Sequence, residues 1–106
     1  MKGILEIGNT IKVSYTASAS SSGVTSVQVG TVPPDASNPS GAKVLMISPA
    51  GSDSHAFKLL DNAEMVRIFV KMPTRGGTGT LTVTENGETK NSEKISADTD
   101  WSYSVE

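Results

Sequence analysis

The chain has no cysteine in its 106 residues. That removes a disulfide framework and any thiolate metal site. It fits a reducing compartment, and equally the many exported bacterial and virion proteins that lack cysteine. There is a single histidine, His55. General acid–base and nucleophilic catalysis usually recruit His, Cys or a matched carboxylate pair, so an enzyme is not expected. Asp53, Ser52 and Ser54 flank His55 in sequence, but neighbours on a strand point to opposite faces and make no triad. No G-x-S-x-G elbow occurs. Gly76-Gly77-Thr78-Gly79 lacks the Lys-Ser/Thr and the helix of a phosphate loop.

Charge of one sign is also missing. Nine basic and eleven acidic residues give a net −2, scattered without runs. Nucleic-acid binders carry a basic face or stripe, so no nucleic-acid partner is expected. No apolar stretch approaches the roughly 20 residues of a spanning helix, and MKGILEIGNTIKVSYT has no signal-peptide core. Membrane insertion is therefore not expected. With Met1 native, the chain is not exported by a signal peptide; as an excised module it suits an extracellular or virion protein.

What remains is β grammar. Ten valines against five leucines, with eleven threonines and fifteen serines, favour pleated strands over helices. Met65 to Thr84 is the most regular stretch. Val66, Ile68, Val70 and Met72 alternate with Arg67 and Lys71, and Leu81 and Val83 alternate with Thr80, Thr82 and Thr84. It reads as the central hairpin of a sheet, its Pro73–Gly79 loop mobile and able to touch a partner.

Along the rest of the chain, Lys2–Ile7 reads as an edge strand or its lead-in. Ile11–Ala17 puts Ile11, Val13, Tyr15 and Ala17 inward, and Ser18–Gly23 is a connection. Val24–Val32 is a strand in which Gly30 marks a bulge or a close backbone approach. Thr31–Ala42, with three prolines, is a surface loop. Lys43–Ser48 is continuously apolar in its middle, as in a strand buried on both faces or crossing between sheets. His55–Leu60 is a short strand or one helical turn. Asn86-Gly87 predicts a type I′ turn, Thr89–Ser96 a polar edge strand, and Asp100–Glu106 a strand with Trp101, Tyr103 and Val105 on one face. Eight or nine short strands at this cadence predict a single all-β sandwich domain over residues 1–106.

From Leu81 onward, Asn86-Gly87, Asp98, Trp101 and Val105 resemble the closing strands of bacterial immunoglobulin-like modules. From Val66, VRIFVKMPTRGGTGTLTV resembles the middle of jelly-roll carbohydrate-binding modules. The first resemblance implies a spacer, adhesin or surface or virion decoration that works by protein contact, such as a phage tail component. The second implies a non-catalytic glycan-binding module, often with a structural calcium. The expected glycan site is Trp101, Tyr103 and Tyr15 with Arg75; Phe57 is a further aromatic, and Arg67, Lys71 and Glu64 are polar candidates. The alternative for the aromatics is core packing. Asp98 and Asp100 are the expected calcium ligands, with Asp35, Asp53 and Asp61 also near turns. Caps for local backbone donors are the competing role for all five.

Overall fold

A computed structural model describes residues 1–106. The chain forms nine strands: β1 (Gly3–Leu5), β2 (Thr10–Ala17), β3 (Thr25–Val32), β4 (Ala42–Ile47), β5 (Ser52–Lys58), β6 (Met65–Lys71), β7 (Gly79–Glu85), β8 (Glu88–Ile95) and β9 (Thr99–Val105). One 3-10 turn at Pro39–Gly41 precedes β4. No helix is long and apolar enough to cross a membrane.

The strands build the expected β-sandwich. One sheet has the order β1-β9-β6-β3-β4 and the other β5-β2-β7-β8. Pairing is antiparallel except at β1, which lies parallel to β9. Only β3–β4 and β7–β8 are joined within one sheet; every other connection crosses from one sheet to the other.

The alternation read from the sequence sets the core. Ile11, Val13, Tyr15 and Ala17 of β2 and Leu81 and Val83 of β7 face Val27 and Val29 of β3, Val66, Ile68 and Val70 of β6, and Trp101 and Tyr103 of β9. Register stacks these in rows. Val29, Ile68 and Trp101 lie side by side, as do Thr31, Val66 and Tyr103. Branched side chains stiff at χ1 fill such rows with little loss of rotamer freedom.

Met65–Thr84 is not a hairpin. β6 is paired on both sides by β3 and β9, and β7 on both sides by β2 and β8. Alternation reports which residues face a core, but not which sheet holds them. The connection spans from one layer to the other, where stacked sheets lie about 10 Å apart, and it is tied down along its length. Gly76 N–H donates to Pro73 O at 2.8 Å. Ser22 Oγ donates to Gly76 O at 2.7 Å, and Ser21 Oγ to Thr78 O at 3.1 Å. The Pro73–Gly79 loop is thus fastened to the Ser18–Gly23 connection rather than free.

Three other expectations change. Lys43–Ser48 supplies β4, an edge strand with one buried face: Leu45 and Ile47 point inward, while Val44 is 51 % and Met46 65 % exposed. Gly30 makes neither a bulge nor a close approach, since both ladders run through it in register and nothing lies within 4 Å of a Cβ placed there. His55–Lys58 completes β5, not a helical turn. The Asn86-Gly87 turn is as read: φ is 49° and 83° at its two central residues, joining Glu85 to Glu88.

Candidate functional site

The four aromatics expected to stack on a sugar are all interior. Tyr15 and Tyr103 have no exposed surface, and Trp101 and Phe57 are only marginally exposed. Each sits at an inward position of its strand, so the period that made them look like a platform is the period that buries them. The Tyr103 hydroxyl donates to Asn91 Oδ1 of β8 at 2.6 Å. Its phenol is pushed far above its ordinary value by burial, helped by the negative charge of Glu93. The Lys2 ammonium lies 4.5 Å from the Trp101 ring centroid and pairs with Glu93 at 2.6 Å. That cation closes the seam between β1 and β8 over the indole. The Tyr15 hydroxyl lies 3.9 Å from Met72 Sδ and faces the Thr25 hydroxyl. Phe57 stacks with His55 at 5.9 Å between centroids, and His55 Nε2 meets the Ser40 carbonyl oxygen.

Arg75 is exposed on the β6–β7 connection, beside Ser22, Gly23 and Val24, and presents no aromatic partner to a ligand. Asp98 and Asp100 do not converge on an ion site. Asp98 Oδ1 accepts the Met72 N–H at 2.8 Å and Oδ2 the Lys71 ammonium at 3.3 Å. These two donors, the backbone one foremost, hold its carboxyl below the ordinary 3.8. Asp100 accepts Arg67 Nη2 at 2.6 Å. Calcium takes about six to eight oxygens; here each carboxylate already faces a protein cation, and no group of three or more acidic or histidine side chains forms anywhere in the chain. The pair does not fit a calcium cage. Asp35, Asp53 and Asp61 add nothing to it: Asp35 accepts from Ser37 N–H and Oγ, and Asp53 from Ser54 N–H.

With the aromatics interior, the two outer sheet faces remain, and they differ. The β5-β2-β7-β8 face is a hydroxyl surface. Ser54, Ser14, Thr82 and Ser92 form one row across its four strands, and Thr82 Oγ1 and Ser92 Oγ lie 2.9 Å apart. The β1-β9-β6-β3-β4 face carries the exposed apolar side chains Ile4, Val32, Val44 and Met46, together with half-buried Phe69.

On that second face lies a shallow groove of about 680 Å³. Gly30 is its floor: an outward position of β3 without a side chain, flanked in register by Ala42 and Arg67. Val44 and Phe69 form its apolar walls, and Gln28 and Arg67 supply donors at its rim. The Arg67–Asp100 ion pair borders it; Lys43 has no carboxylate partner. A slot with apolar walls and few polar groups can take an apolar side chain from a partner and hold its flanking polar groups at the edge.

Sequence reasoning named Arg67 among the outer-face charges but missed Gly30, Val44, Met46 and Phe69. Their signal is weak. A glycine in a strand and an apolar hexapeptide both have ordinary core readings, and only the strand order puts Val44 and Met46 at an edge.

No protein-family model matches this chain, no curated protein matches it, and no solved structure matches it.

Proposed function

We propose that this domain is a non-catalytic protein-interaction module of a cell surface or virion, acting through the outer face of the β1-β9-β6-β3-β4 sheet. The observation that carries this reading is the asymmetry of the sandwich. One outer face is hydroxyl-rich; the other carries Val44 and Phe69 on the walls of a glycine-floored groove, with Met46, Val32 and Ile4 exposed elsewhere on the same face. Contiguous exposed apolar surface rimmed by polar groups marks interaction sites. The glycan reading needed at least two exposed rings on one face, and Trp101, Tyr103, Tyr15 and Phe57 are interior. The structural role implied by the immunoglobulin-like resemblance makes no such demand.

The test is to pan a phage-displayed peptide library and a glycan array against the intact protein. The expected result is enrichment of extended peptides with apolar residues at alternate positions, lost with Phe69→Ala or when Gly30→Leu fills the groove. Glycan binding that survives both substitutions, or peptides indifferent to both, overturns the proposal.

A further inference from the structure

A β-sandwich has four sheet edges, and each presents a row of unpaired backbone groups that can template another strand. Three of the four here carry protection. β8 bears Glu88, Lys90, Glu93 and Lys94 and has a register irregularity opposite Val83/Thr84. β5 bears Asp53, His55 and Lys58, and its Lys58 carbonyl accepts Asn38 Nδ2 at 3.2 Å. β1 is three residues long, and Lys2 beside it folds over to Glu93. Charge, brevity and cover are the devices that blunt edges.

The fourth edge, β4, lacks them. Its sequence AKVLMI has one charge, at its beginning. The Ala42 N–H closes the preceding 3-10 turn on Pro39 O, and outside the ladder with β3 no hydrogen bond involves any residue from Lys43 to Ile47. Val44 and Met46 are the most exposed large apolar side chains in the chain after Met1.

Resting on the protein-interaction reading above, we infer that the occupant of this edge is the β4 strand of a second copy, paired antiparallel about a two-fold axis through Leu45. Facing residues in an antiparallel pair share a face of the sheet, so only even registers keep the apolar side chains aligned. Centring on Leu45 sets Val44 against Met46 of the other copy, and Met46 against Val44. Both large exposed apolar residues of the strand then gain an apolar cross-strand neighbour, while Ala42 faces Ser48. Centring on Met46 would instead oppose Val44 with Ser48 and Lys43 with Pro49, which has no N–H to give.

In the Leu45 register the two Lys43 ammoniums lie four residues apart along the strands, roughly 13 Å. That exceeds the screening length of about 8 Å at physiological salt, so the only charge on the strand does not oppose closure. The interface is isologous, as two-fold dimers require. The apolar band continues across the seam into the Gly30–Phe69 groove of each copy, and the two sheets become one.

Light scattering and sedimentation across a concentration series up to the millimolar range test this. The wild-type mass is expected to rise from 11.0 kDa towards twice that value. Met46→Lys, at an exposed position the monomer tolerates, raises the dimer dissociation constant at least about tenfold by placing an unpaired charge in the seam. Thr82→Lys, on the opposite sheet, leaves the constant unchanged. Because the chain has no cysteine, Val44→Cys/Met46→Cys reads the register: oxidation cross-links two copies through the facing 44–46 pairs, and either single variant cross-links poorly. A mass that stays at the monomer value throughout overturns the dimer while leaving peptide enrichment on the groove to stand or fall by itself. A dimer indifferent to Met46→Lys, or cross-linked no better by the double variant than by the single ones, overturns β4 as the seam.

Discussion

Gly79 opens β7 where the packing leaves no room for a side chain. It is buried, paired to Ala17 on β2 and Ile95 on β8. A Cβ built on it would overlap the Tyr15 phenol and fall 2.6 Å from the Thr16 carbonyl oxygen. The carbonyl is backbone in a central ladder and cannot retreat. The phenol is fully buried between Met72 and the Thr25 hydroxyl, so it can yield only by displacing core neighbours. Gly79→Ala is therefore an overpacking substitution, expected to cost about 2–3 kcal/mol. For a domain of this size each kcal/mol lowers Tm by roughly 4–8 °C, so the fall should be roughly 10–20 °C in a calorimetric or circular-dichroism melt. Trimming the obstacle separates this cause from a general intolerance of β7. In a Tyr15→Leu background, which removes both the phenol oxygen and the ring carbon in the way, Gly79→Ala should cost measurably less, giving a favourable coupling in the double-mutant cycle. A loss below about 0.5 kcal/mol, the range of an innocuous surface change, or a cycle with no coupling would refute the reasoning.

Two further outcomes follow from the buried rings. Burial raises both tyrosine phenols above the ordinary 10.0, with Glu93 adding to the effect at Tyr103 and the Thr25 hydroxyl opposing it slightly at Tyr15. A folded-state pKa above the unfolded one means that the native state holds these protons more tightly. Their contribution is complete below about pH 10 and is lost as pH rises beyond it, because only the unfolded chain ionises there. The phenolate absorbance of both rings should thus appear together with alkaline unfolding; a reversible titration near pH 10 in the folded protein would contradict the packing. Lys2→Ala removes the cover over Trp101. The partly exposed ion pair limits the stability loss to about 1 kcal/mol or less, while acrylamide quenching of the lone tryptophan should rise clearly; unchanged quenching would show that Lys2 does not shield the indole.

How much of this was legible in the sequence differs from element to element. The alternation of Ile11–Ala17 and of Asp100–Glu106 is legible in the sequence, because a two-residue period in β-branched and aromatic side chains is itself the physics of a half-buried strand. Asn86-Gly87 was equally legible: the turn needs positive φ at both residues, and few pairs supply it. Trp101 and Tyr103 were placed on one face correctly, yet that face is the core. Alternation gives a strand two sides and does not say which is wet.

Composition and local pattern alone determined that this chain is one all-β sandwich of short strands, because those properties arise within a few residues of each other. The tertiary structure decided everything that depends on strand order. It separated β6 from β7 into different sheets, turned Lys43–Ser48 from an interior strand into an exposed edge, and made Gly30 the floor of a groove. Alternation carries no information about which strand lies beside which, since non-local pairing is set by the packing of the whole core. The outer face proposed above to meet a partner is built from just those pairings.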